Sequence, residues 1–270
     1  MSRLVLIGLD GLEYTLVQQL KLRNLMLSNW STYESTEELT TPYLWACIIT
    51  GVPPEKALTV KSWTVPKSKL IRKLMRMKFL KFLRGKGLGR FVKQTWIDKE
   101  FLTSTPIFDE YPSIVIDFPA YNWEKPKWFK TLVNVIGNKV ESERLFSRVM
   151  KRDMWKARQA ISALSKDEWQ ILAVWFQSTD LVTHLFPKNL QRHIHVYKQM
   201  DKIVGNFLEI APNDSIFVVL YDHGNDWLRG VHKKLGFISC NQTKVEFPKK
   251  ITEIYSWLKR LIEDKTGEFK

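Results

Sequence analysis

Four short runs of Val, Ile and Leu constrain this chain most: Leu4–Gly8, Ile114–Ile116, Ile171–Phe176 and Ile216–Tyr221. They show little polar alternation, the pattern of central strands covered on both faces by helices. Helical patterns separate them, at roughly Glu143–Leu164, Asn189–Ile210 and Lys250–Asp264. Strands alternating with helices predict an α/β fold: a three-layer sandwich with a mainly parallel central sheet and helices on both faces. At 270 residues the chain has room for one large domain of this type, expected to span 1–270.

Three of the runs end in aspartate-bearing turns of chemical interest. They read Ile7-Gly8-Leu9-Asp10-Gly11, Phe176-Gln177-Ser178-Thr179-Asp180 and Tyr221-Asp222-His223-Gly224. Asp117 follows the remaining run, but no histidine comes after it, and it is set aside. Ligands of open α/β sheets gather at the carboxyl ends of strands, so these carboxylates should converge on one edge. Three anionic groups close together need compensation, and a divalent cation is the usual means.

The chain has only five histidines. His223 follows Asp222 directly, His184 lies four residues after Asp180, and His232 follows in Gly230-Val231-His232. A helical turn would put Asp180 and His184 on one face. Carboxylate and neutral imidazole are ligands for zinc, and both suit manganese. His193 and His195 fall in a helical segment away from carboxylates and read as surface or structural. Taken singly, a strand-terminal Asp is ordinarily a cap or turn residue, and Asp-x-x-x-His a surface pair. Their order and setting together carry the inference.

Those motifs, with Thr40-Thr41-Pro42, Trp45 and Thr50-Gly51-Val52-Pro53-Pro54 between them, resemble the alkaline phosphatase superfamily. The pattern is most similar to its type I phosphodiesterase/nucleotide pyrophosphatase branch, and it spans residues 7 to 232. The resemblance implies two divalent metal ions, zinc or manganese. One would be held by Asp180, His184 and His232. The other would be held by Asp10, Asp222 and His223, with the oxygen of a nucleophilic threonine. Counting back from Trp45 and Thr50-Gly51 selects Thr41 as that nucleophile; anchoring on Pro42 selects Thr40. Thr-Pro at the head of an apolar helix is also a common capping arrangement. The implied activity is hydrolysis of phosphodiester or pyrophosphate bonds, nucleotide-type substrates favoured, through a covalent phospho-threonine.

The pattern has departures. Lys56-Ala57-Leu58 stands where relatives often carry His-Gly, and the polar side chain that contacts the phosphoryl oxygen in the family is not found. Phosphomonoesterase or phosphoglycerate mutase-like activity is an alternative on the same metal core. A sulfatase is disfavoured, because Thr41-Pro42-Tyr43-Leu44-Trp45 lacks the Cys-x-Pro-x-Arg setting. A catalytically inactive basic binding protein on the same fold is the alternative of another class.

Charge bears on partners. The formal net charge of +14 favours anionic ones, a phosphoester or nucleotide substrate first. Within 60–110 a basic helical insertion or cap is expected. Its Lys67–Lys93 stretch interleaves Lys and Arg with Leu, Ile, Met and Phe, so a contact with an anionic membrane or with nucleic acid is an alternative reading. Cys47 and Cys240 are the only cysteines, which argues against a disulfide framework. No apolar stretch reaches the roughly 18 residues of a membrane span, and no secretory signal is visible, so a cytoplasmic location is expected.

Overall fold

The computed structural model describes residues 2–35, 41–60, 64–66, 94–123, 135 and 138–263. A six-stranded sheet forms its centre. In chain order its strands are β1 (Arg3–Leu9), β2 (Asn29–Glu34), β5 (Ser113–Ile116), β6 (Ile171–Phe176), β7 (Ser215–Tyr221) and β10 (Leu235–Cys240). Two short antiparallel pairs stand apart from it, β3 (Thr64–Pro66) with β4 (Gln94–Trp96), and β8 (Gly224–Asp226) with β9 (Val231–Lys233). The order across the sheet is β2-β10-β7-β1-β6-β5. The block β7-β1-β6-β5 is parallel throughout, and β10 runs antiparallel to both its neighbours. The sheet is thus mixed and mostly parallel, with the four anticipated runs as its parallel block. β2 and β10 were not anticipated.

Strand β1 shows why helices cover both faces. Successive side chains of a strand point to opposite sides. Val5, Ile7 and Leu9 enter one buried cluster, whereas Leu4 and Leu6 enter another. The first cluster is closed by α1 (Tyr14–Gln19), α2 (Arg23–Met26), α6 (Lys139–Leu164), α7 (Ser178–Leu185) and α8 (Leu190–Ile210). The second is closed by α3 (Thr41–Thr50), α5 (Ile107–Glu110) and α9 (Ile254–Glu263). A one-turn helix, α4 (Pro54–Ala57), follows α3.

The long helices follow their sequence signals. α6 and α8 are each capped by an asparagine, Asn138 accepting from the Glu141 N–H and Asn189 from the Arg192 N–H, both at 3.2 Å. The helical pattern over Lys250–Asp264 resolves into a 3-10 turn, Ile251–Glu253, followed by α9. The Lys67–Lys93 stretch lies outside the described residues. Cys47 and Cys240 are buried and unpaired. No helix among the described residues is long and apolar enough to cross a membrane.

Candidate metal centre

The parallel block delivers its chain ends to one edge. β1 stops at Leu9, and the Asp10 N–H still bonds the Phe176 carbonyl of β6 at 2.9 Å. The carboxylate that follows is almost completely buried. Gly11 then turns the chain with φ +45°, a conformation that L side chains rarely adopt. A Cβ at Gly11 would lie 2.5 Å from His223 Cε1, so the position has neither the backbone freedom nor the space for a side chain. Its N–H donates to Asp222 Oδ1 at 3.2 Å, which holds two of the strand-end aspartates in fixed relation.

β6 leads straight into α7, with Asp180 in the first turn and His184 in the last. The four-residue spacing brings His184 Nε2 to 3.2 Å from Asp180 Oδ1. The β8–β9 hairpin returns His232 to the same place, its Nε2 3.2 Å from Asp180 Oδ1 and 2.8 Å from His184 Nε2. Ligand atoms around a tetrahedral ion at ~2.0–2.1 Å would stand about 3.3 Å apart, so this trio has the spacing of one cation's shell.

Asp10, Asp222 and His223 form a second trio. His223 Nε2 is 3.6 Å from Asp10 Oδ1 and 3.8 Å from Asp222 Oδ2. In each trio the candidate donor atoms lie within 4.8 Å of one another. The two trios abut, because the His223 and His232 rings stack with centroids 4.0 Å apart. Thr41, the first residue of α3, points its hydroxyl at the second trio and donates to Asp10 Oδ1 at 3.2 Å. Thr40 lies outside the described residues.

Two observations test whether these groups suit cations. Asp180 Oδ1, Asp222 Oδ2 and His223 Nε2 are buried polar atoms without a hydrogen-bond partner among the described residues. Such atoms are costly to bury, and these are the ones a metal would bind. The imidazoles are also oriented from behind. His184 Nδ1 donates to the Gly230 carbonyl and His223 Nδ1 to the Gly224 carbonyl, each at 3.1 Å. With that tautomer the Nε2 lone pairs face the carboxylates, as in metal-ligating histidines. The residues present fit two divalent cations.

The electrostatics agree. Burial, then the neighbouring Asp180 and Asp222 charges, push Asp10 up to about 7. Burial likewise lifts Asp222 to about 6, despite the opposing pull of His223. For Asp180, burial is outweighed by His184, His232 and His223, which hold its carboxyl well below the usual range. Burial acts to lower His223, but Asp222, Asp10 and Asp180 together raise it to about 10. Without metal ions the site therefore keeps protons as its compensating positive charge.

The titratable groups set aside from the motifs lie outside the two trios. His193 is fully buried, its Nδ1 donating to the Asn189 carbonyl at 2.9 Å, and His195 is exposed on the same helix. Asp117, at the end of β5, is engaged by Arg152 Nε and Nη2, each at 2.8 Å. Sequence reasoning missed Asp153 and Lys156 on α6, which are completely buried beside the start of α7. In the sequence they read as two more charges of an amphipathic helix, with nothing local to set them apart.

Gly11→Ala is expected to lower the melting temperature and to weaken cation binding at the Asp10/Asp222/His223 trio. The left-handed backbone alone costs about 1–2 kcal/mol for a non-glycine residue, and the methyl group would displace His223. Calorimetry and metal analysis of the purified variant check this. Wild-type values in both would mean that the turn does not constrain the site.

Comparison with known proteins follows the same lines. The family described as type I phosphodiesterase / nucleotide pyrophosphatase matches residues 4–256. No curated protein sequence matches the chain. Among solved structures, the PH0037 protein from Pyrococcus horikoshii is similar at 10% identity and a TM-score of 0.52, covering 100% of this chain and 98% of that one. That likeness is one of fold. Murine ectonucleotide pyrophosphatase/phosphodiesterase 5, an inactive variant in complex with AMP, is similar at 12% identity and a TM-score of 0.49 over 83% of this chain and 57% of that one.

Proposed function

The chain belongs to the type I phosphodiesterase / nucleotide pyrophosphatase family, and we propose that it is a two-metal hydrolase of phosphodiester or pyrophosphate bonds, nucleotide-type substrates favoured, with Thr41 as nucleophile. One observation carries the reading: the Thr41 hydroxyl lies 3.2 Å from Asp10, inside one of two abutting Asp/His trios. Asp180, His184 and His232 would hold one cation, and Asp10, Asp222 and His223 the other, with Thr41 Oγ1 as a further ligand. Bound there, zinc or manganese would make the threonine hydroxyl easier to deprotonate and offset charge on the phosphoryl oxygens.

The chain's own residues supply the rest. Asp10 Oδ1 accepts the Thr41 hydrogen bond and so aims Oγ1. Thr41 Oγ1 gives up its proton to solvent water and attacks phosphorus, and the bond to the leaving oxygen breaks as the new ester forms, that oxygen departing as an alkoxide or phosphate that solvent protonates. Water then cleaves the threonyl phosphoester and returns the hydroxyl. The position of Thr41 at the head of the ten-residue α3 adds the positive end of a helix dipole beside the phosphoryl group. The net charge of +14 favours approach of an anionic ester.

The test is hydrolysis of bis-p-nitrophenyl phosphate against p-nitrophenyl phosphate, on chelator-treated protein with zinc or manganese restored. Metal-dependent cleavage that favours the diester is expected. Preference for the monoester would make the chain a phosphomonoesterase on the same centre. Absence of bound metal would leave a basic binding protein.

A further inference from the structure

Lys156 and Asp153 of α6 are completely buried. They lie on the helix face that also gives Val149, Ala157 and Ala160 to the core. Asp153 Oδ2 accepts the backbone N–H of Gln177 at 3.1 Å and of Ser178 at 2.9 Å. These donors open α7 and have no partner within that helix. The side chain of Gln177, at the capping position, makes no cap bond of its own. The cap of α7 is therefore supplied by another helix, with an anion at the positive end of the dipole.

Lys156 completes the arrangement. Its Nζ lies 3.1 Å from Asp153 Oδ1 and 3.1 Å from Asp117 Oδ2, and donates to the Trp175 carbonyl at 2.8 Å. Arg152 holds Asp117 from the outer side. Among the described residues of the cluster, two cations face two anions. Three element ends meet here: Asp117 just past β5, Trp175 in the last two residues of β6, and the start of α7. Stability alone does not account for such a cluster, since well-packed apolar side chains of like volume are often as stable as buried ion pairs. What the cluster does is fix where α7 begins, and α7 carries Asp180 and His184.

We propose that Asp153 and Lys156 are positioning residues of the metal centre, which set the geometry of the Asp180/His184/His232 trio through the start of α7. This rests on the two-metal reading above. The other trio stands on the ends of β1 and β7. α7 reaches it through Thr179 Oγ1, which donates to the backbone oxygen of Asp10 and not to its carboxylate.

The experiment is titration of the metal-free full chain with cobalt(II), read by visible absorption, together with hydrogen exchange of the metal-free chain. His184→Ala identifies the binding step that belongs to the α7 trio. Asp153→Ala/Lys156→Met removes one charge of each sign and leaves Asp117 paired with Arg152. It is expected to weaken that step by about 10–100-fold, to change its cobalt spectrum, and to leave the other step near wild type. Amides of residues 177–185 are expected to exchange faster even without metal. Asp153→Asn keeps the side-chain shape and one acceptor; it should shift the same step in the same direction by less. Variants that bind both equivalents as the wild type does, or lose both steps equally, would overturn the positioning role while the proposed function stands. A wild-type chain that takes up no cobalt would overturn the proposed function and the positioning role with it.

Discussion

Thr41→Ala is expected to lower kcat/KM for bis-p-nitrophenyl phosphate by roughly 10³–10⁶-fold, the range for loss of a nucleophile, with both metal sites still filled. Among the described residues the Thr41 hydroxyl has one side-chain partner, Asp10 Oδ1, and the other candidate ligands do not depend on it for their places. Asp10 is fixed through its own backbone by Phe176 and Thr179, Asp222 by Gly11, and His223 by Gly224. α3 is buried along its whole length, so the fold should absorb the loss of a hydroxyl and a methyl group at a cost of about 1–3 kcal/mol. Thr41→Ser keeps a hydroxyl at the same atom and should retain measurable turnover. Steady-state kinetics and metal analysis on the same preparations check both variants. Full activity in Thr41→Ala, with loss in Thr40→Ala, would move the nucleophile one residue back.

The contrast between the parallel strands and Asp153 shows what the sequence reveals and what it hides. β1, β6 and β7 are legible as strands because both their faces are buried, leaving apolar runs, and half-buried β5 keeps the same apolar pattern at the sheet edge. β2 and β10 are not. β2 reads Asn-Trp-Ser-Thr-Tyr-Glu along the sheet edge, and Gly236 and Ser239 break the apolar run of β10. Both interruptions have tertiary causes. A Cβ at Gly236 would fall 2.2 Å from the Tyr33 ring, and Ser239 Oγ donates to the Leu25 carbonyl at 2.7 Å. Asp180 and His184 are legible because four residues make a helical turn, whereas the approach of His232 to them depends on a hairpin that closes only in three dimensions. Asp153 and Lys156 are the hardest case. Charges in an amphipathic helix ordinarily face solvent, and only the packing of α6 against the start of α7 turns these two inward.

Metal loading is expected to raise the melting temperature, by an amount that grows between about pH 5 and pH 8. The sign follows from the protons held by the metal-free site. Asp10 and Asp222, raised to about 7 and about 6, keep protons that the unfolded chain releases near the ordinary carboxylate value. The folded metal-free form thus binds more protons than the unfolded one, and its stability falls as pH rises through that window. His223, raised to about 10, acts in the same sense: its contribution is complete below about 6.5 and is lost as pH rises through about 10. Asp180, held low, contributes stability that is lost only in acid, so it is constant across this range. Cations bind the deprotonated ligands and release those protons, so their affinity rises with pH while the metal-free chain weakens. Metal at about 100 times the dissociation constant of one site adds about 2.7 kcal/mol, or roughly 5–10 °C for a chain of this size. Thermal unfolding with chelator, zinc or manganese across the pH range measures the gain, and calorimetric titration in two buffers counts the protons released. Asp222→Asn should bind one cation less and flatten the pH dependence. A gain that stays level or narrows with pH, or unchanged metal content in Asp222→Asn, would show that these carboxylates are not the ligands.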